Sequence, residues 1–204
     1  MSIAVVDYGL GNTGSVLNML RYLDIKAGLC ADFNDLKRAS HIILPGVGAF
    51  DQGMKNLKNS GMDEMLYEMI LIRKIPVLGI CLGMQLLTMR SAEGTNAGLG
   101  WLNANTISFE QSYSAQLRIP HTGWNTVKPS EKSVLLKDMP EDARFYFVHS
   151  YHVQSHDTEI VAGKTFYGGW FDSVIEHENI FGCQFHPEKS HRFGMSVFKN
   201  FKSI

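Results

Sequence analysis

The chain has almost no excess of charge of either sign: 19 lysines and arginines stand against 20 aspartates and glutamates, for a net charge of −1. A surface without a dominant sign lacks the field that gathers nucleic acid or an anionic membrane, so neither is expected as a principal partner. Long apolar runs are missing too. The longest, around residues 75–87, is shorter than the roughly 20 residues a membrane-spanning helix needs and contains Gln85. No secretory signal is expected, because Ser2 to Val6 runs into Asp7 without a cleavage region. Cysteine is scarce, and its odd count of three, one of them in a reactive setting described below, points to a reducing compartment and so to the cytoplasm. No C-x-x-C occurs. His152 and His156 are four apart but follow a strand-like run, and Cys183-x-x-His186 lacks a second pair; no metal and no cofactor is expected. Repeats, linkers and low-complexity stretches are also absent, and 45% hydrophobic content suffices for the core of one domain spanning residues 1–204.

What is present centres on residues 75–87, I-P-V-L-G-I-C-L-G-M-Q-L-L. An apolar run of strand length meets a cysteine with a glycine two residues away on each side, and an amphipathic helical pattern follows at once. This is the logic of a nucleophile elbow with sulfur in place of oxygen. Cys81 would stand at the strand's carboxyl end, where the first amides of the helix favour thiolate over thiol. Leu82 N–H can receive the oxyanion of a tetrahedral intermediate. Free cysteine is usually a small buried hydrophobe, which suits Cys30 and Cys183. A packed core strand has no use for the glycines around Cys81.

A cysteine nucleophile needs a base, and the base an orienter. Both occur in Gln184-Phe-His186-Pro-Glu188. Pro187 keeps this backbone extended, so His186 and Glu188 leave on one side, and a carboxylate there fixes the imidazole tautomer and stabilises the imidazolium. The expected triad is Cys81, His186 and Glu188.

Read in order, strands are expected at residues 3–6, 26–30, 41–44 and 77–80, with helices after the first, at 33–37, 51–59 and 62–72, and behind Cys81. Gly9, Gly11 and Gly14 keep dinucleotide-fingerprint spacing, but without its acidic partner they mark a tight strand-to-helix connection. From Thr106 onward shorter strand-like runs appear, including 134–136, 143–148 and 160–162. The pattern predicts a flavodoxin-like, doubly wound α/β fold, mostly parallel, with an added antiparallel edge.

Gly79-Ile-Cys-Leu-Gly-Met-Gln85 and Gln184-Phe-His-Pro-Glu-Lys-Ser190 resemble the class I (triad) glutamine amidotransferases. Asp7-Tyr-Gly-Leu-Gly-Asn12, Leu44-Pro-Gly-Val-Gly-Ala-Phe50, Pro120-His-Thr-Gly-Trp-Asn125 and Phe147-Val-His-Ser-Tyr151 narrow the likeness to the HisH family of glutaminase subunits. The resemblance implies glutamine as substrate and no cofactor. It implies a HisF-like (β/α)8 cyclase as partner in a heterodimer, receiving ammonia to make imidazole glycerol phosphate and AICAR in histidine biosynthesis. It also implies that Val47 and Gly48 supply oxyanion amides opposite Cys81. Gln85, Glu93 and the segment His149, Ser150 and Tyr151 would contact glutamine, Gln85 through its carboxamide and Glu93 through its ammonium. Asn12 and Trp124 would face the partner, with Lys189 as an interfacial cation. The glycine pair around Val47 leads to the expectation that the oxyanion strand rests inactive without partner and ligand. Thr13, Thr122, His152 and His191 depart from the family pattern and bear on which synthase accepts the ammonia. A paralogue serving another synthase, such as a surface-polysaccharide sugar amidotransferase, a non-catalytic regulatory subunit and a peptidase are the alternatives.

Overall fold

A computed structural model describes residues 2–112 and 117–204. The first half alternates strands and helices: β1 Ser2–Val6, α1 Thr13–Tyr22, β2 Ala27–Cys30, α2 Phe33–Leu36, β3 Ala39–Gly46, α3 Phe50–Asn59, α4 Met62–Tyr67, β4 Val77–Cys81 and α5 Leu82–Leu86. The second half is richer in strand: β5 Arg90–Ser91, β6 Ala104–Ser108, α6 Phe109–Ser112, β7 His121–Thr126, β8 Lys128–Pro129, β9 Arg144–His149, β10 Tyr151–Ser155, β11 Val161–Phe166, β12 Trp170–His177, β13 Ile180–Cys183 and the closing helix α7 His191–Lys202.

The main sheet runs β2-β1-β3-β4-β13-β12-β10-β6-β5, and β11 and β8 extend it from β12. Strands β2 to β13 in that order are parallel. Buried strands of a parallel sheet read as unbroken apolar runs, and every residue of β4, Val-Leu-Gly-Ile-Cys, is buried. From β13 to β6 the pairing turns antiparallel, so what was expected as an edge is about half the sheet. Helix α3 shows the pattern of this half: Phe50, Gly53, Met54 and Leu57 bury one stripe at helical spacing. Apolar clusters fill both faces, one around Leu44, Leu82 and Met84, the other around Ile80, Cys81 and Phe185.

Two expectations change in detail. Residues 62–72 form α4 followed by a π-helical turn, Glu68–Ile72, in which Arg73 N–H reaches Glu68 O across five residues. Residues 134–136 form a turn instead of a strand. The Glu176 carboxylate on β12 accepts from Ser133 Oγ, Val134 N–H and Leu135 N–H at 2.8, 2.8 and 2.9 Å, which takes the amides a strand ladder would need.

Beside the main sheet lies the two-stranded ribbon β7–β9, with His121 opposite His149 and Trp124 opposite Tyr146. His186 N–H donates to Tyr146 O at 2.9 Å. The ribbon thus braces the segment that follows β13.

Candidate active site

The sharp turn at Cys81 exists because two glycines permit it. Cys81 sits at φ 53° and ψ −110°, a region that side-chain-bearing residues rarely occupy. A Cβ on Gly79 would lie 2.7 Å from Met84 N, and one on Gly83 would overlap the Leu44 carbonyl oxygen. With hydrogen there instead, α5 folds back against its own strand and against β3. The sulfur is left at the end of β4, 6% exposed.

Strand β13 pairs with β4 in parallel, Cys183 beside Ile80, so residues 184–188 emerge next to the nucleophile. His186 Nδ1 and Glu188 Oε1 are 2.8 Å apart and both side chains are 2% exposed. Burial alone would push the His186 pKa down. The proximity and charge of Cys81 and Glu188 outweigh it and raise the pKa to about 10. His186 Nε2 makes no closed hydrogen bond, so the thiol acts on the ring by charge and nearness. The arrangement keeps a protonated imidazole in front of a sulfur, the state from which a thiolate attacks and a leaving group is protonated.

Gly46, the last residue of β3, pairs with Cys81. Val47 and Gly48 follow directly, with Gly48 at φ +121°, a conformation glycine adopts freely. Leu82 opens α5, placing its amide beside Cys81. Leu82 thus adjoins Cys81 in the chain, and Val47 and Gly48 follow the residue that pairs with it.

The expected glutamine contacts fall into two groups. Glu93 lies across the start of α3, where its Oε2 accepts from Phe50 N–H at 3.0 Å. Burial and then the nearby Asp51 raise its pKa, against the Phe50 amide, which lowers it. Gln85 is buried and donates through Nε2 to Tyr151 O at 3.0 Å and to Gln184 Oε1 at 3.1 Å. Both ring nitrogens of His149 have partners inside the protein, His121 Nδ1 at 3.0 Å and Tyr151 O at 2.7 Å. Ser150 sits in the break between β9 and β10, its carbonyl accepting from Phe109 N–H at 3.3 Å.

Asn12 caps α1 through Ser15 N–H at 3.4 Å, and α1 packs near the Pro187–Lys189 turn. Trp124, 47% exposed, and Lys189 meet at the ring of Tyr146, at centroid distances of 6.0 and 5.6 Å. A groove of about 630 Å³ runs beside them, lined by Trp124, Arg144, Ser190 and His191. It adjoins the His186 segment and does not open on Cys81. Of the departures from the family pattern, His191 stacks on Trp124 and His152 packs against Phe109 and Phe171.

Sequence reasoning assigned nothing to Gln184 or Ser190. Gln184 donates to Cys81 Sγ at 3.6 Å. Its one signal was its place two residues before His186, in the segment that leaves β13 beside Cys81. Ser190 Oγ accepts from Tyr146 N–H at 3.0 Å and donates to His186 O at 2.6 Å; nothing local in the sequence announces that. Among the described residues no group of His, Cys, Asp and Glu is placed to hold a metal ion, and no helix is long and apolar enough to cross a membrane.

The family model for class-I glutamine amidotransferases matches residues 4–203. A protein of Pseudomonas aeruginosa named imidazole glycerol phosphate synthase subunit HisH 2 is 46% identical over 202 residues, covering 99% of each chain. Its namesake in Methanococcus maripaludis is 47% identical over 199 residues, covering 98% of each. In fold the chain is similar to PurLQS from Thermotoga maritima, with a TM-score of 0.74 at 16% identity over 99% of this chain and 97% of that one. The Cys-x-Gly elbow, the His-Pro-Glu segment and this full-length similarity agree, and the chain belongs to the class-I glutamine amidotransferase family, in its HisH branch.

Proposed function

We propose that this protein is the glutaminase subunit of an imidazole glycerol phosphate synthase, releasing ammonia from glutamine for a synthase subunit docked on it. The observation that carries the reading is the buried His186–Glu188 pair at 2.8 Å beside Cys81, in a chain 46% identical over its length to a protein named for that role. Cys81 attacks the glutamine carboxamide carbon. The amides of Leu82 and of Val47 or Gly48 hold the oxyanion, and His186 passes its proton to the departing ammonia. A γ-glutamyl thioester remains on Cys81. His186, now neutral and oriented by Glu188, takes a proton from water, the resulting attack releases glutamate, and the thiolate and imidazolium are restored.

Glu93 holds the substrate ammonium, while Gln85 and the 149–151 segment border its other end. Ammonia in bulk water is protonated and lost as a nucleophile, so the product is useful only inside a complex. The partner is a HisF-like (β/α)8 cyclase in a heterodimer, and the pathway is histidine biosynthesis in the cytoplasm. The face carrying Asn12, Trp124 and Lys189 is the docking side.

The test is glutamate release by this chain alone and mixed with HisF and its nucleotide substrate, with Cys81→Ala as the blank. Stimulation by that mixture, absent in the blank, is expected, together with slow release by the isolated chain. Cys81-dependent release indifferent to HisF would overturn the choice of partner and favour a different synthase. Release that survives Cys81→Ala would overturn the chemistry.

A further inference from the structure

One line of hydrogen bonds crosses the protein from the ribbon to the catalytic sulfur, and its direction is fixed at every joint. Tyr151 O can only accept, so His149 Nδ1, 2.7 Å away, carries a hydrogen. Burial, above all, holds the His149 pKa well below the usual histidine range, so the ring is neutral and its Nε2 is bare. His121 Nδ1, 3.0 Å from that nitrogen, must therefore donate. Burial lowers the His121 pKa to about 4, so this ring too is neutral, and its Nε2 accepts from Asn125 Nδ2 at 3.2 Å. Tyr151 O also takes a hydrogen from Gln85 Nε2 at 3.0 Å. That bond settles which way the Gln85 amide points. The same Nε2 donates to Gln184 Oε1 at 3.1 Å, which turns the Gln184 Nε2 toward Cys81 Sγ at 3.6 Å.

We propose that His121 and His149 are positioning residues for Cys81: by anchoring the Tyr151 carbonyl they hold in place the acceptor that fixes the Gln85 amide and, through it, Gln184, so that an amide donor, not an amide carbonyl, stands against the sulfur. The inference rests on the reading of Cys81 as the nucleophile. A half-turn of the Gln184 amide would exchange N–H for C=O at the sulfur and set a negative dipole against the thiolate. Each side chain in the line is buried except Asn125, so water cannot readily substitute for a lost member. His121 lies flat between Phe147 and Tyr167, at centroid distances of 4.7 and 4.0 Å, which fixes the ring plane that the first bond requires. Apolar rings would pack there equally well, so packing alone does not account for two adjoining histidines with every ring nitrogen in use.

The experiment follows alkylation of Cys81 by iodoacetamide in the full chain across pH, read by mass spectrometry of the modified peptide. His149→Phe keeps the ring and loses the donor to Tyr151 O. Alkylation at neutral pH is expected to slow about fivefold, the effect of one net hydrogen bond, with the pH–rate profile displaced upward. His149→Asn, whose amide can donate from the Nδ1 position, is expected to recover most of the rate. Added to Gln184→Met, His149→Phe should slow alkylation no further, as members of one line are not additive. Additive losses, or a folded His149→Phe that alkylates like the parent, would overturn the proposal. If His149→Phe fails to fold, His121→Phe, which keeps the stack, carries the same comparison. Failure of the nucleophile reading appears separately, as glutamate release persisting in Cys81→Ala.

Discussion

The imidazole of His191 lies flat on the indole of Trp124, with ring centroids 5.2 Å apart and planes 6° from parallel. His191 holds this place at φ +47°, an uncommon backbone for a residue other than glycine, directly after the Ser190 that supports His186. The stack joins the exposed face of the ribbon to the start of α7. His191→Ala is expected to raise the emission of Trp124, taken as the difference from a Trp124→Phe background, and to cost about 1 kcal/mol or less, as ring pairs do beyond their area. Emission from Trp124 that ignores the substitution would show that the two rings part in solution.

The His186 shift gives stability a dependence on alkaline pH. A histidine in the unfolded chain titrates near 6.5, whereas His186 in the fold titrates at about 10. The folded value is the higher one, so the contribution is complete below about pH 6.5 and disappears as pH rises toward 10. Denaturant midpoints should fall through that window. In Cys81→Ala the larger of the two upward influences is gone and the fall should begin at lower pH. Identical pH profiles for the two proteins would mean that Cys81 does not act on His186.

Gly79→Ala places a methyl 2.7 Å from Met84 N, and backbone cannot yield as a flexible side chain can. A loss of about 2–4 kcal/mol is expected from such overpacking and strain, with slower Cys81 alkylation because α5 must move away. A variant as stable and as reactive as the parent would refute the account of the elbow.

Those glycines also show what the sequence exposes and what it hides. The spacing of Gly79, Cys81 and Gly83 is a local steric requirement, readable because neighbours in sequence impose it; the extended backbone expected at Pro187 is instead a 3-10 turn over Pro187–Lys189, and it is this turn that brings Glu188 back to His186. The parallel half of the sheet was legible for the same reason, through apolar runs such as Val77–Cys81. The turn at residues 134–136 was not, since its amides are claimed by Glu176, more than forty residues later. Nor was the line from His121 to Gln184, whose members come from β7, β9, β10, α5 and the segment after β13. Periodicity carries no information about which distant acceptor a buried side chain will find.

Tyr8 is 4% exposed and its hydroxyl, close to Gly46, has no hydrogen-bond partner. Burial, then the charge of Cys81, raises its pKa, so the hydroxyl stays neutral and its unmet hydrogen bond is a cost. Tyr8→Phe is expected to stabilise the protein by about 1 kcal/mol, or roughly 2–4 °C in Tm for a chain of this size. Destabilisation, or a drop in glutamate release, would mean that the hydroxyl is used.

Ser190 offers the sharpest test of how the base is held. Its hydroxyl joins two strands of support, accepting from Tyr146 N–H and donating to His186 O, while His186 N–H donates back to Tyr146 O. Ser190 is fully buried. In Ser190→Ala one donor and one acceptor lose their partner where no water can replace it, at a cost of about 1–3 kcal/mol. The cavity left by one oxygen is small, so the fold should survive. The His186 backbone would then be tied to the ribbon on one side only, and a shift of a fraction of an ångström in the imidazole is enough to slow proton transfer. The expected signature is a several-fold lower kcat for glutamate release with KM little changed, because Ser190 is bonded to the backbone of His186. Ser190→Thr, which keeps the hydroxyl, should recover the rate if its extra methyl is accommodated, and Ser190→Cys should recover part of it. A change confined to KM, or a rate that follows thermal stability across the three variants, would leave Ser190 with a structural role and remove it from the support of His186.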